Sequence, residues 1–257
     1  MIQFSITEIF SWLGVYIWPF IRIGAFFLAA PIIGSRLLPA RIRLLLALAV
    51  TALVATRIQN VPKIDPISLQ ALVLIAKEVA VGFAMALVLQ MLFHIAVLAG
   101  QLIAMQAGLG FASMVDPVNG ISVPTVAQFY LTLCYMLFLN MNGHLWVVQY
   151  IANSFDYVAL AQGFPLQHWQ DLVNTASWMF SSALLVALPA VVSLLMVNVA
   201  FGVMGRVAPQ MNIMNVGFAM ITVFGFFVML LSIGHWVPEF DRFNREAMAI
   251  LLSLLKS

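Results

Sequence analysis

The chain has 257 residues, of which 64% are hydrophobic and 8% charged, with a formal net charge of +2. Soluble domains carry about 25% charged residues, and 11 basic plus 9 acidic side chains cannot coat a water-facing surface of this size. An ordinary soluble fold is excluded, and so is a nucleic-acid partner, which would call for clustered Lys and Arg on one face; lipid or other subunits must cover the chain.

A membrane crossing needs about 20 largely apolar residues. The opening "MIQFSITEIF" has no positive n-region and carries Glu8, so insertion is expected to be directed by the first apolar segment. That segment is Trp12–Ile33, with Arg22 as its only charge and a Pro31 to Pro39 breaker region at its end. Leu44–Ala55 is short for a crossing. Leu69–Ala107 is much too long for one simple crossing and contains Lys77 and Glu78. Ile121–Ile151, Ser177–Val203 and Ile213–Val237 are each long enough. The last stretch, "PEFDRFNREAMAILLSLLKS", repeats Phe240, Phe243, Ala247, Ile250, Leu251 and Leu254 at three- and four-residue spacing. It predicts a separate amphipathic tail helix, on a membrane surface or on another subunit. The expectation is an all-α chain of six apolar helical segments plus a tail helix, in one unit without internal repeats. Loop charges do not fit simple alternation: Arg36, Arg41 and Arg43 place one loop in the cytoplasm and Arg206 agrees, but Arg242, Arg245 and Lys256 do not.

Catalytic chemistry finds little to use. His94, His144, His168 and His235 are scattered without metal-ligand spacing, and no Walker, G-x-S-x-G or G-x-G-x-x-G pattern occurs. Cys134 sits alone in an apolar run and reads as a buried inert thiol. No enzyme, cofactor or metal is expected. Lys77 and Glu78 point about 100° apart on a helix, so they need not pair with each other and each can reach a different partner. Two readings stay open for them, a functional intramembrane charge or an aqueous boundary. Arg22, half-way along its segment, needs a carboxylate, a carbonyl or a subunit interface.

Two breaks interrupt the apolar chain. In "GLGFASMVDPVNG", Gly108 and Gly110 permit positive φ, Pro117 bars helix continuation and pushes Asp116 toward extended geometry, and Asn119-Gly120 supplies turn chemistry. The loop nevertheless carries Phe111, Met114 and Val115. Lipid does not tolerate irregular backbone, so the loop is enclosed by protein, lines a path, or lies outside the bilayer. It is either a hydrophobic constriction that closes a conduit by dewetting or a packed interhelical turn. The second break, "GRVAPQMN", combines Arg206, Pro209, Gln210 and Asn212, whose amides can satisfy the carbonyls of a broken helix.

Three stretches in this order, "RIGAFFLAAPIIGSRLLPARIR", "MQAGLGFASMVDPVNG" and "GRVAPQMNIMNVGF", resemble the FliR-type family of the flagellar protein export gate, from about Arg22 to the tail. The resemblance implies a non-enzymatic, multi-helix integral membrane-type chain of apolar helical hairpins. It would be one subunit of a pore-forming hetero-oligomer at the bacterial inner membrane, in the flagellar basal body. The implied partners are FliP-type and FliQ-type gate subunits, FlhB-type and FlhA-type export components, and exported flagellar proteins as substrates. About 1–175 would be FliP-like and about 176–257 FliQ-like. By the same resemblance the first break helps close the export path, with Phe111 and Met114 as plug side chains. Gly108, Gly110, Asp116, Pro117 and Gly120 would shape the loop; Arg22, Lys77, Glu78, Arg206, Pro209, Gln210 and Asn212 would be structural or interface residues. The rival readings are an injectisome export-gate subunit with different cargo, a secondary transporter, which should show two matching halves, and an intramembrane enzyme.

Overall fold

A backbone surrounded by apolar side chains must pair its polar groups within itself, and the helix does this with the fewest long-range contacts. The computed structural model of the protein describes residues 6–35, 38–58, 61–62, 64–65, 68–110, 113–115, 122–160, 166–207 and 213–256. These form α1 (Ile6–Ala29), α2 (Ala40–Ala55), α3 (Leu69–Gln106), β1 (Ser113–Val115), β2 (Ser122–Pro124), α4 (Thr125–Asn140), α5 (Gly143–Tyr157), α6 (Leu166–Val207) and α7 (Ile213–Lys256). The class is all-α, with one short ribbon inserted. Among the described residues three helices are long and apolar enough to cross a membrane, within α3, α6 and α7, and the bent pair α4 and α5 is a fourth candidate. The 38 residues of α3 extend about 57 Å at 1.5 Å per residue, against about 30 Å of bilayer core.

Two sequence expectations are corrected. The tail is not a separate helix, because α7 continues through Pro238 to Lys256. Proline removes one intrahelical hydrogen bond, whereas stopping the helix would leave four N–H and four C=O groups to satisfy; in so apolar a chain continuation wins. Pro19 and Pro189 are carried inside α1 and α6 in the same way. Ile121–Ile151 is not one segment either: α4 and α5 meet at 71°, where Asn142 takes the left-handed φ of 57° and its carbonyl accepts the Leu145 N–H at 2.9 Å. Asn-Gly is a turn dipeptide, and here it outweighs the apolar run around it.

The chain divides into two compact units, each assembled from separate stretches: Met1–Gln90 with Met141–Thr175 and Ala247–Ser257, and Met91–Asn140 with Ala176–Glu246. In the first unit α1 packs on the N-terminal half of α3, burying Ile23, Phe26, Ala71, Leu74 and Val81. Gly82 makes this approach possible, since a Cβ there would run into the carbonyl oxygen of Arg22. In the second unit the Phe93 ring lies 4.8 Å from Tyr135 and 5.3 Å from Phe138, and Tyr130 stacks on Trp236 at 4.6 Å. Such aromatic pairs contribute about 0.5–1.5 kcal/mol each beyond their burial. Gly100 brings α3 against α4 so closely that a Cβ would stand 2.5 Å from the Ala127 Cα.

Candidate functional site

In the second unit the site begins where α3 stops. Gly108 takes φ +72°, the left-handed conformation that ends helices. The Leu109 N–H then donates back to the Ala104 carbonyl at 2.9 Å and the Gly108 N–H to Met105 at 3.3 Å, the two bonds of a Schellman turn. The Ala107 N–H takes the Ile103 carbonyl at 2.9 Å. One carbonyl of the last turn remains, that of Gln106, and it accepts the Asn198 side-chain amide of α6 at 3.2 Å. On the other side Gly225 of α7 faces Ala107, where an added Cβ would stand 2.7 Å from the Ala107 Cβ. Gly110 stays outside the left-handed region, since Gly108 holds the only positive glycine φ among the described residues.

Beyond this stem, β1 and β2 pair antiparallel, with Ser113 opposite Pro124, Met114 opposite Val123 and Val115 opposite Ser122. The non-helical segment is therefore partly self-paired, which allows irregular chain to exist in an apolar setting. Pro124 closes the ribbon at the boundary with α4, where its missing N–H is tolerated. Met114 lies in β1. Phe111, Asp116, Pro117 and Gly120 lie outside the described residues, as do Pro209, Gln210 and Asn212 of the second break. Arg206 is exposed at the C-terminal end of α6, where a cation complements the helix dipole.

A different construction occupies the first unit. Arg22 is 1% and Glu78 0% exposed, and the Arg22 Nε donates to Glu78 Oε2 at 2.7 Å. The Arg22 Nη1 donates to the Ser154 carbonyl at 3.0 Å and to Ser154 Oγ at 3.3 Å, and the guanidinium lies 4.2 Å over the Phe155 ring. One ion pair thus ties α1, α3 and α5. Two full charges in such a place are held by these bonds and by their mutual attraction, while the Arg22 Nη2 finds no hydrogen-bond partner among the described residues. Lys77, the neighbour of Glu78, is half-buried beside Val73, Leu74 and Ile64, on a different face of α3. A cavity of about 690 Å³ opens between α1, α2 and α3. It is walled by Phe27, Leu44 and Phe83, and its polar members turn inward to backbone: the Gln90 Nε2 to the Ala29 carbonyl at 2.5 Å and the Arg43 Nη2 to Leu38 at 3.0 Å.

Among the described residues no group of three His, Cys, Asp or Glu side chains could hold a metal ion. Residues 13–247 match the family described as bacterial export proteins, family 1. The chain belongs to this family. The flagellar biosynthetic protein FliR of Escherichia coli (strain K12) is 33% identical over 259 residues, covering 99% of this chain and 98% of that protein. The protein of the same name from Pectobacterium carotovorum is 31% identical, with 99% and 96% covered, and that of Bacillus subtilis (strain 168) is 29% identical, with 88% of each covered.

In this export-family chain, sequence reasoning had singled out Gly108, Arg22 and Glu78 but not the residues that complete their surroundings. Ser154 and Phe155 look ordinary in "NSFDY", and Asn198 in "LMVNVAF" gives no hint that its amide caps another helix. The one available signal for Asn198 was its polarity inside an otherwise apolar run, since an amide withdrawn from water needs a partner.

Proposed function

We propose that this protein is a non-enzymatic subunit of the flagellar type III protein export gate, helping to form and close the channel through which unfolded flagellar proteins leave the cell. Family membership and the flagellar names of its relatives support the role. The observation that carries the gating part is the loop after α3: a self-paired ribbon on a fully hydrogen-bonded helix end. Phe111 and Met114 are its plug side chains, and Gly108, Gly110, Asp116, Pro117 and Gly120 set its course. The surroundings of α6 and α7 support an assembled state, because Leu184, Leu185, Met196, Phe226, Phe227 and Leu230 are all exposed in the single chain and need apolar cover. That cover is FliP-type and FliQ-type subunits and lipid of the bacterial inner membrane at the flagellar basal body, with FlhB-type and FlhA-type components as further partners. Residues from about 1 to 175 act as the FliP-like part and from about 176 to 257, most of α6 together with α7, as the FliQ-like part.

The test has two steps. Co-expression with the neighbouring export genes, followed by native gels and mass spectrometry, is expected to return a large complex with other small apolar subunits; a monomer or dimer that alone moves a small solute would overturn the gate in favour of a transporter. In that complex, replacing Phe111 and Met114 by Ala, or deleting Gly110–Val115, is expected to make resting membranes leak ions. Tight membranes with normal assembly would overturn the plug.

A further inference from the structure

The last four carbonyls of α3 are all accounted for, and only one of them relies on a residue distant in sequence. Ile103, Ala104 and Met105 are served by Ala107, Leu109 and Gly108 of the same turn; Gln106 is served by Asn198, 92 positions along the chain. The next residue, Ala107, is fully buried, and the helix that covers it does so at a glycine, Gly225. The ring of Phe218, two turns earlier on α7, completes the enclosure, lying 3.4 Å from where a Gly108 Cβ would be. A chain leaving a helix is aimed by the last fixed peptides, and here those peptides are held from outside by α6 and α7.

We infer that Asn198 and Gly225 are positioning residues for the loop: the α6 and α7 hairpin sets the direction in which the segment after Gly108 leaves α3. Asn198 does this through a hydrogen bond to the Gln106 carbonyl and Gly225 by leaving room for the Ala107 methyl. The inference rests on the reading of this loop as the channel closure, and it adds that movement of α6 against α7 is transmitted to the loop through these two contacts. A Cβ at position 225 would push on Ala107, and loss of the amide at 198 would leave the half-buried Gln106 carbonyl without its side-chain partner; both loosen the stem without touching a plug side chain.

The test uses the full chain in its co-expressed complex. Hydrogen exchange is followed by mass spectrometry in a peptide spanning Ala104 to Gly110 and, as internal reference, in one from α4 around Tyr130 and Cys134, while ion leak is measured in the same membranes. Asn198→Ala is expected to speed exchange of the stem about fivefold, the equivalent of one capping hydrogen bond, with the α4 reference unchanged and with a leak smaller than that of the Phe111 and Met114 replacements. Asn198→Gln keeps the donor and is expected to return protection toward the parent. Gly225→Ala gives a second route to the same loosening should Asn198→Ala fail to assemble. Stem exchange unchanged in both variants overturns the positioning role, even if the plug replacements leak; equal acceleration in stem and reference overturns it too, since that is general destabilisation. Faster stem exchange with no leak, in a complex that also stays tight without Phe111 and Met114, upholds the positioning role and overturns the plug.

Discussion

Two polar sites of this apolar protein are built from opposite materials. Around Arg22, a full positive and a full negative charge are sealed from solvent and joined at 2.7 Å, with Ser154 and Phe155 closing the shell. At the end of α3, every bond is between neutral groups, three backbone pairs and one amide. The first kind of site is all-or-none, because removing one partner strands the other charge at several kcal/mol. The second kind loosens in steps of about 1 kcal/mol. A junction that must keep three helices in one arrangement suits the former, and the stem of the loop proposed as the channel closure suits the latter.

The largest expected effect breaks the charge junction. Glu78→Gln should lower the stability of the protein by about 3–5 kcal/mol, since the Arg22 cation remains buried without its counter-charge, read as a lower midpoint of thermal unfolding in detergent. The double change Arg22→Met with Glu78→Leu should recover most of that loss, because replacing both charges removes the desolvation problem as well as the attraction. If Glu78→Gln melts with the parent, the contrast between the two sites is wrong and Glu78 sits at a wet boundary after all.

How far this contrast could be read beforehand depended on the residue. Arg22 advertised its need for a partner, since a cation half-way along an apolar segment cannot stand alone; that the partner is Glu78, 56 positions away, is a tertiary fact with no local signal. Gly108 was readable as a left-handed position because glycine occupies that region without strain, but its Schellman bonds depend on where the helix stops. Pro238 misled, because the breaker rule assumes that water can take up the freed carbonyls, and α7 is too apolar for a break to be the cheaper solution. The bend at Asn142 was hidden inside an apolar run whose composition promised one crossing.

Of intermediate size are changes at the glycines that set helix spacing, one in each unit. Gly82→Ala would drive a methyl into the Arg22 carbonyl, and Gly100→Ala would place one 2.5 Å from the Ala127 Cα. Backbone cannot swing aside as a side chain does, so each should cost about 1–3 kcal/mol. Gly202 in α6 has nothing within 4 Å of a built Cβ, and Gly202→Ala in the chain purified alone should be neutral or stabilising by up to about 1 kcal/mol from helix propensity. Equal melting of Gly82→Ala and Gly202→Ala would mean that α1 and α3 can move apart freely, and the charge junction between them would lose its all-or-none character.

The smallest effect is also the most discriminating. Ser154→Ala removes one acceptor of the Arg22 Nη1, the Oγ at 3.3 Å, and leaves the Ser154 carbonyl at 3.0 Å, so alone it should lower stability by only about 1 kcal/mol. Combined with Glu78→Gln it should not add, because both changes act on the same guanidinium and members of one network couple. Combined with Asn198→Ala it should add, because the two hydrogen bonds share no partner. Thermal unfolding of the three single and two double variants separates these cases. Additive losses in the first pair would mean that Ser154 and Glu78 hold Arg22 independently, and the junction would then loosen in steps, as the loop stem does.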